Sequence, residues 1–134
     1  MRWSSCRTFG VVIGAACVAT TTRIFMPSPQ NPVYRPTQAE PVLAQYLHLQ
    51  CPAFKKAALP DTGVVHFAVS VDSMGKATRA ELLAGSGDQL VDEVFGTIAA
   101  QLTLPVDSTR RRAREVPVRM AFSCQGDSAT VKVR

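Results

Sequence analysis

Two side chains of this sequence, those of His66 and Ser86, are of types that can act in catalysis. His66 lies in a run in which apolar and polar residues alternate, and Ser86 lies in a Gly-Ser-Gly turn. A histidine can act as a general base and a serine as a nucleophile, provided that the two lie within hydrogen-bond reach. The G-x-S-x-G pattern of a nucleophile elbow is absent at Ser86, and helix capping accounts for this residue. We therefore predict that the protein is not an enzyme, and a small hydrolase that uses His66 is the alternative with the least support.

The first 25 residues have the layout of an export signal. Basic residues precede an apolar run at 9–19, and Arg23 ends the apolar stretch soon afterwards. This run is short, because a helix that spans a bilayer needs about 20 apolar residues. We predict that residues 1–25 are a signal peptide, cleaved after Ala19, or a short membrane anchor. Lipidation of Cys17 is the third alternative.

Export would place two cysteines, Cys51 and Cys124, in an oxidising compartment. Such a pair is typical of a disulfide in an exported protein, whereas in the cytosol it would be two buried thiols. Because a disulfide lowers the entropy of the unfolded chain, this one would stabilise the fold by up to about 4 kcal/mol. The two cysteines, with His48 and His66, match no zinc-binding spacing, so we predict no metal and no other cofactor.

A cluster of basic residues at 110–114, with the sequence RRRAR, carries most of the formal net charge of +5. Such a cluster can attract anionic lipids, cell-wall polymers or nucleic acid, and it can also be a solvated loop between a helix and a strand. Export argues against a nucleic-acid partner. Arg110, Arg111 and Arg112 are therefore candidate contacts for a protein partner.

The segment between the signal and the first helix is rich in proline. Residues 26–40 contain four prolines and no apolar periodicity, which predicts an extended linker. Thr37 and Glu40 fit a capping box, and apolar residues follow at helical spacing. We predict a first helix that begins at this box and ends before Pro52, with a separate helical turn over 53–58.

The apolar period then changes from 3.6 to 2. Residues 64–71, 77–84 and 116–123 alternate between apolar and polar side chains, which predicts three strands. A type I turn at 72–75 would join the first two strands into a hairpin. Residues 129–134 would form a fourth, short strand after the third.

A second helix is predicted between the hairpin and the third strand. Ser86 and Gln89 fit a capping box for it, and its apolar stripe leaves Asp92 and Gly96 on the side that faces away. The order of elements predicts one domain over 41–134. We expect an α+β fold, an antiparallel sheet of three to four strands with two helices packed on one face.

A series of short motifs from Pro52 to Phe122 follows the order and spacing of one known family. They are Pro52, Gly63-Val64-Val65, Phe67, Val69, Val71-Asp72, Gly75, Gly85-Ser86-Gly87, Leu90, Asp92, Leu104-Pro105, Pro117-Val118-Arg119 and Phe122. On these residues, about half of the chain resembles the C-terminal domain of the TonB family, of the energy-transducer type.

The resemblance implies a function as well as a fold. It implies a periplasmic domain that captures an extended peptide of an outer-membrane receptor, with inner-membrane motor proteins as further partners in energy-coupled transport. The family's transducers carry a long spacer and a membrane span, and this chain has a short linker. The alternative is therefore an envelope-associated structural or adaptor protein, lipidated or not, without a motor. Membrane attachment and a homodimer both stay open.

The predicted third strand is the candidate binding site. The outer edge of its backbone would pair with an extended peptide, and its side chains and the basic cluster would select the peptide. The candidate partner-binding residues are Val116, Val118, Arg119, Met120 and Ser123, with Arg110, Arg111 and Arg112. A fourth strand at 129–134 would cover this edge.

Overall fold

The structure, a computed structural model, describes residues 23–105, 112–125 and 128–134. Its elements, in chain order, are β1 (Ile24–Phe25), α1 (Pro36–Lys56), β2 (Thr62–Val71), β3 (Ala77–Ala84), α2 (Gln89–Ala99), β4 (Arg114–Gln125) and β5 (Ser128–Val133). The predicted cleavage site, with Cys17, lies outside the described residues, as do Arg110 and Arg111. Within the described ranges, no helix is both long and apolar enough to cross a membrane.

The five strands form one antiparallel sheet in the order β1-β3-β2-β4-β5. The predicted α+β class, with two helices and an antiparallel sheet, is therefore confirmed. The sheet has one strand more than we predicted, because the two residues of β1 lie in the stretch assigned to the signal. The predicted fourth strand exists as β5 and pairs with the second half of β4.

One face of the sheet forms the core. Alternate residues of β2 and β4 point to this face and are buried, as the period of 2 predicted: Val65, Phe67, Val69, Val71, Val118, Met120 and Phe122. Side chains of α1 and α2 complete the core, with Leu43, Leu47 and Phe95 fully buried. Each large apolar side chain buried in this way stabilises the fold by about 1.5–3 kcal/mol.

The first helix differs from its prediction at both ends. It begins at Pro36, and the Arg35 N–H donates to the Gln38 Oε1 at 2.9 Å, so the predicted capping box of Thr37 and Glu40 is wrong. A proline suits this first position because its missing N–H would have no partner there. The helix also continues through Pro52 and ends at Lys56.

Two contacts near Pro52 hold the helix on the sheet despite the cost of an internal proline, about 3 kcal/mol. Phe54 is fully buried in the core. Cys51 forms a disulfide with Cys124 of β4, across a Cα–Cα distance of 5.8 Å. The predicted disulfide is thus confirmed, and it joins α1 to the sheet.

The second helix also has a different cap. The Asp88 side chain accepts hydrogen bonds from the Leu90 and Val91 N–H groups at 2.9 and 3.3 Å, so Asp88 is the N-cap and the capping box with Ser86 and Gln89 is wrong. Gly96, which we expected to face away from the core, is buried. Its position beneath Phe25 explains the difference, since β1 covers this side of the helix.

The segment predicted as a linker is attached to the domain. Residues 36–40 belong to α1, and the Tyr34 N–H donates to the Gln101 carbonyl at 2.9 Å. The Tyr34 carbonyl in turn accepts from the Thr103 N–H at 2.8 Å. These bonds hold the proline-rich stretch against the loop after α2.

Candidate peptide-binding edge

The predicted binding edge on β4 is divided into two halves. Strand β5 pairs with β4 from Met120 to Gln125. Arg119 and Arg134 then exchange two backbone hydrogen bonds of 2.8 Å each. On the outer side of residues 114–118, here named the open half, no strand of the described chain lies against β4.

The direction of the backbone groups in this open half follows from the pair at its end. In an antiparallel ladder, a residue that exchanges both hydrogen bonds with one neighbour is followed, two positions away, by another that faces the same side. Arg119 faces β5, so Glu115 and Pro117 also direct their backbone groups outward. The Cys124 N–H, of opposite parity, donates inward to the Asp61 carbonyl at 2.7 Å.

Within the part of the chain that the structure describes, the open half therefore has three outward backbone groups without a strand partner. Glu115 presents an N–H and a carbonyl, and Pro117 presents only a carbonyl. A proline fits at this position because the missing N–H is not needed for pairing with β2. Edge prolines of this kind also limit unwanted pairing with other chains.

The structure separates the predicted site residues. Met120 and Ser123 lie opposite Val133 and Thr130, so their part of the β4 edge is covered by β5. Val118 is buried, 2 % exposed, and its side chain belongs to the core.

Other predicted residues lie at the open half. Val116 is half-buried, whereas Arg119 and Arg112 are exposed at the two ends of the segment. Together with Arg134, they surround the open half with positive charge, which Glu115 offsets in part.

A second edge of the sheet is the outer side of β5. By the same parity, Ala129, Val131 and Val133 direct their backbone groups away from β4. The Glu40 carboxylate of α1 accepts from the Val133 N–H at 2.9 Å, so this edge is partly closed.

Of the two residues considered for catalysis, Ser86 forms hydrogen bonds within the fold, and His66 lies on the sheet. The Ser86 hydroxyl donates to the Asp92 Oδ1 at 2.8 Å and accepts from the Asp88 N–H at 3.1 Å. The Ser86 N–H donates to the same Asp92 oxygen at 2.7 Å, and a Cβ at Gly85 would overlap that carboxylate. These bonds fasten the Gly-Ser-Gly turn to α2. His66 lies, half-buried, on the sheet face away from the helices.

The residues that hold the N-terminal segment on the domain were not predicted from the sequence. Phe25 packs on Gly96, and Gln101 is buried among backbone groups of residues 28–32. The sequence did contain one indication of this contact, Gly96. A glycine inside a helix costs about 1 kcal/mol relative to alanine and indicates a close contact. Among the described residues, no group of three His, Cys, Asp or Glu side chains could hold a metal ion.

Comparison of the chain with protein-family models, with curated proteins and with solved structures finds no match.

Proposed function

We propose that this chain is a periplasmic protein-interaction domain of the TonB C-terminal type, which captures an extended peptide of an outer-membrane receptor by strand addition. The observation that carries the proposal is the open half of β4, with outward backbone groups at Glu115 and Pro117. Strand addition to a sheet edge is a common mode of peptide recognition. The sequence motifs that resemble those of the TonB family support the same function.

The peptide lies antiparallel to β4 and continues the line of β5. It donates to the carbonyls of Glu115 and Pro117 and accepts from the Glu115 N–H. Each such bond contributes about 0.5–1.5 kcal/mol net, so three bonds give weak binding that side chains must supplement. A weak complex suits a domain that binds and releases a receptor.

Charge around the open half selects the peptide. Arg112, Arg119 and Arg134 are exposed there, and the chain as a whole carries a net charge of +5. Complementary charge accelerates encounter and discriminates between partners. The preferred peptide is therefore acidic or polar next to its pairing residues.

A second candidate function is an envelope adaptor that binds the same peptide without a motor. The hydrogen bonds that join Gln101 and Thr103 to the proline-rich stretch favour this candidate, because a segment bound to the domain cannot extend as a spacer. Adaptor and transducer share the binding edge and differ in whether proton-driven motor proteins bind. Co-purification with motor subunits would favour the transducer, and its absence under conditions that retain the receptor would favour the adaptor.

The experiment that tests peptide capture is an NMR titration of the labelled protein with an acidic peptide derived from a receptor. The chemical-shift changes should cluster at residues 114–119. The variant Glu115→Pro removes the one outward donor and should weaken binding, while Glu115→Ala keeps the N–H and serves as its matched control. Shifts confined to Ala129 and Val131 would place the peptide on β5 and contradict the proposal, as would equal binding by both variants.

A further inference from the structure

The face of the sheet that points away from the helices, here named the outer face, carries a row of basic side chains. His66 of β2 and Arg119 of β4 alternate with buried residues, so both point to this face, and they lie directly opposite each other. Arg119 is paired in turn with Arg134, next to β5. Lys132 lies on the same face, opposite Ala121. We name these four residues, His66, Arg119, Lys132 and Arg134, the basic row.

The positive charges of the basic row are close together and lower the stability of the sheet. Arg119 and Arg134 exchange both backbone hydrogen bonds, a pairing that places two Cα atoms about 5.5 Å apart. Like charges directly opposite each other destabilise an antiparallel pair. Neither ion pair that the structure shows within its described ranges includes Arg119, Lys132 or Arg134. An anionic ligand at the basic row would remove this repulsion.

The acidic side chains of the sheet lie away from the basic row. Glu81 of β3 forms an ion pair of 3.3 Å with an arginine of its own strand. Glu115 precedes Arg119 by four residues, which is about 13 Å along β4. Glu40 contacts β5 from the helix side, where its carboxylate accepts from the Val133 N–H. The β4–β5 side of the outer face is therefore positive.

The outer face around the basic row is built from small side chains. Ala68, Ser70, Ala121 and Ser123 are half-buried there, and Val64 is 39 % exposed. Small side chains on a sheet leave a flat surface without raised sides. Charged polymers bind in grooves that follow their backbone, whereas a planar membrane surface can meet a flat face over its whole area. The shape of the outer face therefore favours a membrane surface as the anionic ligand.

We propose that the outer face binds the anionic head groups of a membrane surface through the basic row. The arginines and the lysine donate to phosphate oxygens, and the exposed Val64 meets the interface beside them. Each Arg or Lys near an anionic membrane strengthens binding by about 5-fold, so three strengthen it by roughly 100-fold. Lipid binding does not require peptide capture, because side chains stand perpendicular to the sheet, whereas an added strand lies in its plane.

The test measures how strongly the full chain prefers vesicles of equimolar phosphatidylglycerol and phosphatidylcholine to vesicles of phosphatidylcholine alone. This ratio of affinities is used because the apolar run at 9–19 can bind both kinds of vesicle. The double variant Arg119→Gln, Lys132→Gln should lower the ratio by roughly 25-fold. The matched control Lys55→Gln, Lys56→Gln removes the same charge from exposed positions on α1 and should lower it much less. Circular dichroism verifies that both variants are folded.

A measurement on the native protein keeps the test decisive if the double variant does not fold. In bicelles of the same anionic composition, a spin-labelled lipid should broaden the NMR signals of residues 64–68, 119–123 and 130–134 more than those of α1 and α2. Stronger broadening on the helices overturns the proposal, as does an equal loss of preference in both double variants. Soluble polyglutamate or inorganic phosphate that binds the basic row more tightly than anionic vesicles do would also overturn it.

Discussion

Arg119 and Arg134 exchange two backbone hydrogen bonds of 2.8 Å each, and this pair marks where β5 stops. On one side of the pair, β4 lies between two strands. On the other side, Glu115 and Pro117 direct backbone groups outward, with no described strand beyond them. The proposed capture of a peptide depends on this boundary.

Pro117 limits the open half to a single donor, so Pro117→Ala should strengthen peptide capture. The N–H that alanine adds faces outward, and one more hydrogen bond is worth about 0.5–1.5 kcal/mol, or about 2- to 10-fold in affinity. Calorimetric titration measures the change. Pro60→Ala, at an exposed loop proline before β2, is the matched control and should leave the affinity unchanged. Equal or weaker binding by Pro117→Ala would show that the peptide does not pair with this segment.

Charge reversal at Arg119 should weaken the binding of an acidic peptide by up to about 10-fold at low salt. The side chain is exposed, so Arg119→Glu leaves the strand ladder intact. The loss should shrink as salt is added, because ions screen exposed charges. Lys76→Glu changes the net charge equally at an exposed position outside β4 and should have little effect. An equal loss in both variants would indicate a general effect of net charge.

Loss of the disulfide should lower the free energy of unfolding by about 2–5 kcal/mol, because Cys51 and Cys124 are 73 residues apart and their bond restricts the unfolded chain. Denaturant unfolding of the double variant Cys51→Ser, Cys124→Ser measures the loss. The native protein under reductant should behave like this variant. Ready alkylation of both cysteines without reductant would contradict the disulfide.

The alternation of apolar residues predicted the sheet well, and local chemistry predicted the helix ends poorly. Val65, Phe67 and Val69 are buried as their period required, because the pleat fixes which side each residue faces. Several polar residues can cap the same helix, and the choice depends on the loop. Asp88 caps α2 because Ser86 is bonded to Asp92 instead.

The candidate site could be predicted only in part. The third strand and the strand that follows it were visible as periodic segments, but their lengths decide how much of the edge stays open, and periodicity does not fix lengths. Strand β1 was missed because its two residues are too few to show a period. Only Gly96, an unfavourable residue in a helix, indicated the contact with Phe25.

Ionisation of Tyr46 should lower the free energy of unfolding at alkaline pH. Burial, with smaller contributions from the charges of Asp88 and Glu93, raises the pKa of its phenol above 10.0. The unfolded chain loses this proton from about pH 10, while the native protein keeps it to higher pH, so stability falls as pH rises above about 10. Tyr46→Phe removes this dependence and should move alkaline unfolding, followed by circular dichroism, to higher pH. An unchanged pH profile would contradict the prediction.

The most direct measurement of peptide capture is hydrogen exchange at the Glu115 amide, the one outward donor among residues 114–118. We predict that a saturating acidic peptide slows exchange at Glu115, because its N–H then donates to the peptide backbone. The amides of Ala129 and Val131, on the edge of β5, should exchange at an unchanged rate. Unchanged exchange at Glu115 with a bound peptide, or slowing at Ala129 and Val131 instead, would contradict strand addition at the open half of β4.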